Sequence, residues 1–287
     1  MKFYLDHNIY IYSLNDESIE QAVQILKTHS VQFLYSPAHI EEIYTALVKE
    51  KSNYQENKQK LFKQISKFTD NLECLPSETG IIIKEEKPEE CFMRVAGVDT
   101  TQRIEDDGKK KYQVDKEYYK QLCNQEKYYQ SISTLSYDKI WEHKAIISYI
   151  NKLNKEMPEH IKKHNRSKDT IKAELSGVDK RLPEDLQIRH GMYDELKNSH
   201  KKLEFVMEVL FRVLNMNGYN ADKKEGTTIS AIHDVTHAIY ATKTDKLFSV
   251  DKKFVNKCKA VYYFLGIETQ VILCPQNIIS KILLESK

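Results

Sequence analysis

The 287-residue chain reads as an α/β protein, a central parallel sheet flanked by helices and interrupted by a large, mostly helical insertion. Two observations predict this. Short β-rich runs alternate with amphipathic helices at both ends of the chain, a rhythm that yields parallel strands covered on both faces. Over residues 77–198 the rhythm breaks and helical spacing dominates. The expected organisation is therefore a first part over 1–76, an insertion over 77–198 and a second part over 199–287.

Each element has a local reason. "KFYLDHNIYIY" gives a short strand ending near Asp6, followed by a helix through "IEQAVQILKTH". "VQFLYSP" is a β-rich run stopped by Pro37, which suits the first turn of the helix "AHIEEIYTALVKE". A second helix, "QKLFKQISKF", and a short apolar segment, "LECLP", follow. The insertion opens with "IIIKEEKPEECFMRVAGV", where some β-structure is expected, and then turns helical, with Ile146, Ile150 and Leu153 on one face. The helix "KKLEFVMEVLFRVLNMNG" returns the chain to the sheet on a stripe of Leu203, Val206, Met207, Leu210, Val213 and Leu214. "TTISAIHDVTHAIYATKT" is a helix whose apolar face is Ile232, Val235, Ala238 and Ile239. "KLFSV" is a strand ending at Asp251, "KKFVNKCKAVYYFLG" a helix closed by Gly266, and "TQVILCP" a last strand stopped by Pro275.

Composition narrows the class. No apolar run is long enough to cross a bilayer, and the N-terminus lacks the basic-then-apolar build of a signal peptide. Five scattered cysteines, none in a CxxC pair, fit neither a disulfide framework nor a cysteine zinc site and point to a reducing cytoplasm. A net charge of +2 does not itself imply a nucleic-acid partner, so any electropositive surface has to come from local clustering.

Four acids stand in register with these elements. Asp6 and Asp251 end strands, Glu42 lies early in the helix after Pro37, and Asp234 lies in the first half of its helix. Ligands of an open parallel sheet bind outside the carboxyl ends of its strands, where the following helices begin, so all four carboxylates can reach one mouth. Crowded carboxylates repel one another, and a hard divalent cation such as Mg²⁺ or Mn²⁺ relieves the conflict. The chemistry implied is metal-assisted hydrolysis of a phosphodiester.

At these residues the sequence resembles the PIN-domain nucleases. "YLDHN" is similar to the family's first motif, with its acid at Asp6 and its polar companion at Asn8. "SPAHIEEI" resembles the second and favours Glu42 over Glu41. "ISAIHDVTHAIYA" resembles the helix of the third acid, Asp234, and "KLFSVDKKF" the run of the fourth, Asp251, with Ser249 beside it. "VILCPQNII" looks like the last strand and its exit. The resemblance covers 1–76 and 199–287; so long an insertion departs from the family's compact domain. It implies a Rossmann-like PIN fold, Mg²⁺ or Mn²⁺ held by Asp6, Glu42, Asp234 and Asp251, and endonucleolytic cleavage, RNA more often than DNA. Asn8 and Ser249 then orient the ligands. The alternative is a PIN-like scaffold that binds nucleic acid or protein without cutting. Toxin, antiviral-defence and RNA-processing roles all use this fold, and a homodimer or a regulatory protein partner is left open.

"HDVTH" also approaches the HExxH zinc-protease pattern, but its Asp is a methylene shorter than Glu and no third ligand follows. The His…His-Asp…Asp phosphohydrolase pattern belongs to an all-helical class, which the strand-like runs oppose. His233 and His237 are accordingly read as packing residues or as groups behind the acids. In the insertion, residues 152–172 carry a surplus of Lys and Arg that suits a phosphate backbone, and "EYYKQLCNQEKYYQ" interleaves tyrosines with lysines. Both stretches equally suit a solvated or packed helix face.

Overall fold

In the computed structural model, which describes residues 1–49, 54–96, 132, 134–167, 170–171, 181–221 and 228–287, the chain runs out along β1 (Lys2–Leu5) and back through two helices, α1 (His7–Ser13) and α2 (Glu17–Thr28). Asp16 caps α2 by accepting from the Ser18 N–H at 3.0 Å. β2 (Gln32–Leu34), α3 (Pro37–Lys49) and α4 (Tyr54–Thr69) follow. Next come β3 (Leu72–Ser77), β4 (Gly80–Glu85) and α5 (Pro88–Ala96). The second half holds α6 (Lys144–Asn165), α7 (Tyr193–Leu196), α8 (His200–Met216) and α9 (Thr228–Ala241). It ends with β5 (Lys246–Ser249), α10 (Lys252–Leu265), β6 (Gln270–Leu273) and α11 (Ile279–Glu285). No described helix is long and apolar enough to cross a membrane.

Four strands make one parallel sheet in the order β2-β1-β5-β6, the helix-flanked α/β architecture expected from the sequence. From β1 the chain moves outward to β2, and from β5 it moves outward the other way to β6. The order therefore reverses between β1 and β5, which opens a crevice at their carboxyl ends.

Side chains alternate across the sheet, and each face has its own core. Tyr4, Leu34, Leu247 and Val271 face α8, α9 and α10. Phe3, Leu5, Phe33 and Phe248 face α1, α2, α4 and α11. The expected stripe of α8, from Leu203 to Leu214, is buried throughout. On α9, Ala238 and Ile239 are buried and Val235 packs on the core, while the Ile232 side chain lies outside the described residues.

Described parts of the segment expected to be an insertion pack against this architecture. β3 and β4 form an antiparallel hairpin that straddles residue 77. It extends from β2 through Tyr35, whose N–H donates to Leu72 O at 3.1 Å and whose carbonyl accepts from Cys74 N–H at 2.7 Å. In α6, Ile146 and Ile150 are buried and Leu153 packs on the same core as α8 and α10. Trp141 anchors the start of this segment by donating from Nε1 to Ala260 O at 2.7 Å. The tyrosine-lysine stretch "EYYKQLCNQEKYYQ" lies outside the described residues. Cys74, Cys91, Cys258 and Cys274 are buried free thiols.

Candidate metal centre

Asp6 is the first residue past β1, and its N–H donates to Phe248 O of β5 at 2.9 Å, which pins it in the crevice between the central strands. Alternation places its side chain on the face of Tyr4, the α9 side. Ser249, at the end of β5, donates its hydroxyl to Asp6 Oδ2 at 2.6 Å and accepts from the Asp251 N–H at 3.1 Å. The two strand ends are thus tied together through one serine.

From α3, Glu42 reaches across to α9 and accepts from His237 Nε2 at 2.8 Å. Asp6, Glu42 and His237 each offer a ligand atom, and these atoms lie within 4.8 Å of one another. Among the described residues this is the one such grouping of three. Behind it, the Tyr4 hydroxyl lies 2.7 Å from His237 Nδ1 and 2.6 Å from Ser36 Oγ. His39 closes the floor. Its Nδ1 accepts from the Ser36 N–H at 3.1 Å, so the proton sits on Nε2, which donates to Leu5 O at 2.8 Å.

The electrostatics show the strain of a crowded acidic mouth. Burial, opposed by His237 and reinforced by Glu42, raises the Asp6 carboxyl above its ordinary range. Burial and the neighbouring Asp6, Asp251 and Glu42 push Asp234 up to about 8 against the pull of Lys257. Burial also acts to raise Glu42, but His7, His237 and His233 together hold it well below the usual carboxylate range. Burial alone lowers an imidazole, yet the hydrogen bond and charge of Glu42 leave His237 raised.

The sequence-predicted residues fall into two sets. Asp6 and Glu42 converge with His237, and Ser249 supports Asp6. Asp234 is close enough to feel both carboxylates but pairs with Lys257 Nζ at 4.0 Å. Asp251 is exposed and caps α10, accepting from Lys253 and Phe254 N–H at 2.7 and 3.0 Å. Asn8 is half-buried in the first turn of α1. Glu41 points to the neighbouring histidine, 4.0 Å from His233 Nδ1. The two histidines of "HDVTH" thus face different glutamates.

Three residues gain importance that the sequence reading did not give them. His237 joins the acids. His7 is buried with an Nδ1 that has no hydrogen-bond partner, and burial lowers its imidazole against the pull of Glu42 and Asp6. Lys257 is wholly buried beside Asp234.

The donor set suits a divalent cation. Two carboxylates and an imidazole at this spacing can close on one ion at ligand distances of roughly 2.0–2.2 Å. The His7 imidazole, whose charge would act on Glu42 and Asp6, keeps its Nδ1 open to a further polar partner. No protein-family model matches the chain, and no curated protein or solved structure matches it.

Proposed function

We propose that the chain is a PIN-like, metal-dependent endonuclease that hydrolyses phosphodiester bonds, in RNA rather than DNA. The observation that carries this reading is the convergence of Asp6, Glu42 and His237 at the crevice where the strand order reverses. Asp6, Glu42 and His237 would hold the cation, and the imidazole favours Mn²⁺ over Mg²⁺, which prefers an all-oxygen shell. A divalent cation in such a site neutralises charge on a phosphoryl oxygen and makes water a usable nucleophile near neutral pH.

The chain's own residues supply the rest. Ser249 fixes the rotamer of Asp6, and Tyr4 fixes the plane of His237. For Nε2 to face a cation, the imidazole proton has to sit on Nδ1. The Tyr4 hydroxyl can accept that proton's hydrogen bond while donating to Ser36. Along α6, Lys144, Lys152 and Lys155 border one surface depression and Lys162, Lys163 and Arg166 another, positions suited to a phosphate backbone.

A second reading, a PIN-like module that binds without cutting, is favoured by one contact. Glu42 and His237 satisfy each other at 2.8 Å and so form a stable pair without a cation. A panel of labelled single- and double-stranded RNA and DNA incubated with Mn²⁺ separates the two. Cleavage of RNA by the wild type, reduced at least about 100-fold in Asp6→Asn, Glu42→Gln and His237→Ala, supports the nuclease. Equal nicking by all four proteins would mean a contaminant and sink that reading. Retained nucleic-acid binding with no cleavage by the wild type selects the binding module.

A further inference from the structure

We propose that this centre takes one divalent cation, and that the buried ammonium of Lys257 stands in place of a second. The inference rests on the metal-dependent reading above. It arises because the four sequence-predicted acids do not share one environment.

A two-ion phosphodiesterase site needs carboxylate oxygens on both sides of a gap of roughly 3.5–4 Å between the ions. Only one half of that arrangement is available. Asp6, Glu42 and His237 present ligand atoms toward a common point. One oxygen of each acid that would hold the other ion is already engaged. Asp234 Oδ2 faces Lys257 Nζ at 4.0 Å, and Asp251 Oδ1 is taken up by the two N–H groups at the start of α10.

Lys257 is not a surface lysine that happens to lean inward. It is 0% exposed, and its Nζ is also 3.5 Å from Asn215 Oδ1 on α8. A buried ammonium is costly to desolvate unless carboxylates and hydrogen-bond acceptors surround it. Here the acidic mouth provides that compensation, and in return the lysine supplies a fixed positive charge on the α10 side. A lysine in this position cannot be lost to chelators, and it repels a second metal ion from Asp234.

The test is metal stoichiometry on the full chain. The protein is titrated with Mn²⁺, bound ion is counted by elemental analysis, and spin coupling is read by electron paramagnetic resonance. The wild type is expected to hold one Mn²⁺ with the spectrum of an isolated ion. Asp234→Asn is expected still to hold one ion, because Asp234 is not a ligand, but more weakly, because the charge of Lys257 is then left uncompensated. Asp6→Asn and Glu42→Gln are expected to lose it. Lys257→Met, if folded by circular dichroism, is expected to admit a second, weaker ion at the freed Asp234. Two spin-coupled ions in the wild type, loss of the ion in Asp234→Asn, or a folded Lys257→Met that still takes one ion would each overturn the proposal while leaving the metal-dependent reading intact. A wild type that binds no Mn²⁺ overturns both. Should Lys257→Met fail to fold, the wild-type and Asp234→Asn stoichiometries decide.

Discussion

Replacing Tyr4 with Phe removes one hydroxyl and leaves the ring, so it isolates what that oxygen does. Tyr4 is fully buried, and its oxygen is bracketed by Ser36 Oγ at 2.6 Å and His237 Nδ1 at 2.7 Å. His39 Nδ1, at 3.4 Å, is already engaged by the Ser36 N–H and cannot substitute. The Tyr4→Phe variant therefore leaves two buried polar atoms short of a partner, at about 1–3 kcal/mol each. Some relaxation of Ser36 toward His39 brings the expected loss of folding stability to roughly 2–4 kcal/mol. A separate effect falls on metal affinity. Without an acceptor for its Nδ1 proton, His237 no longer favours the tautomer that exposes the Nε2 lone pair, and Mn²⁺ affinity is expected to drop about 10- to 100-fold. Isothermal titration with Mn²⁺, alongside urea unfolding of the metal-free protein, measures the two effects independently. The His237→Ala background supplies the control: once the imidazole is gone, Tyr4→Phe should no longer change the residual affinity. Tyr4→Phe binding Mn²⁺ within threefold of the wild type, or losing affinity equally in both backgrounds, would refute the orienting role.

Two further predictions concern the scaffold. Burial holds the His200 imidazole down to about 4, from an ordinary 6.5, and its Nε2 has no hydrogen-bond partner. Between those values the unfolded chain binds a proton that the folded chain does not, so stability falls as pH drops below 6.5. At pH 5 the linkage amounts to about 2 kcal/mol, and in urea unfolding His200→Gln should show a pH 7 to pH 5 loss smaller by that amount; parallel losses would refute it. At the β3–β4 turn, Gly80 has φ +104°, and a Cβ there would lie 2.2 Å from the Lys197 carbonyl oxygen. Gly80→Ala is expected to cost roughly 2–4 kcal/mol, read as a lower denaturation midpoint at unchanged slope, and an unchanged midpoint would show that the turn rearranges freely.

How far the sequence could be read follows from what each feature depends on. The strands of the parallel sheet were legible because β-rich runs ending at Asp6, Pro37, Asp251 and Pro275 are local signals, and the residue that ends a central strand necessarily lies at the mouth. The docking of the β3–β4 hairpin was not, since its two strands pair locally with each other and are joined to the end of β2 only by the long-range Tyr35 bridge. Register alone brings Asp6 and Glu42 toward one mouth, whereas the place of His237 depends on Tyr4, more than two hundred residues away in sequence, and on which face of β1 that tyrosine occupies. Lys257 leaves a clear trace in the sequence. It stands three residues after Phe254 and four before Val261, on the buried stripe of α10, where a solvated lysine has no reason to be. In a helix with lysines at 252, 253, 257 and 259, charge count hides that position and spacing reveals it. A charged residue on an apolar stripe implies a buried partner of opposite sign. Here the partner is Asp234, which ties the anomaly in α10 to the acid in α9.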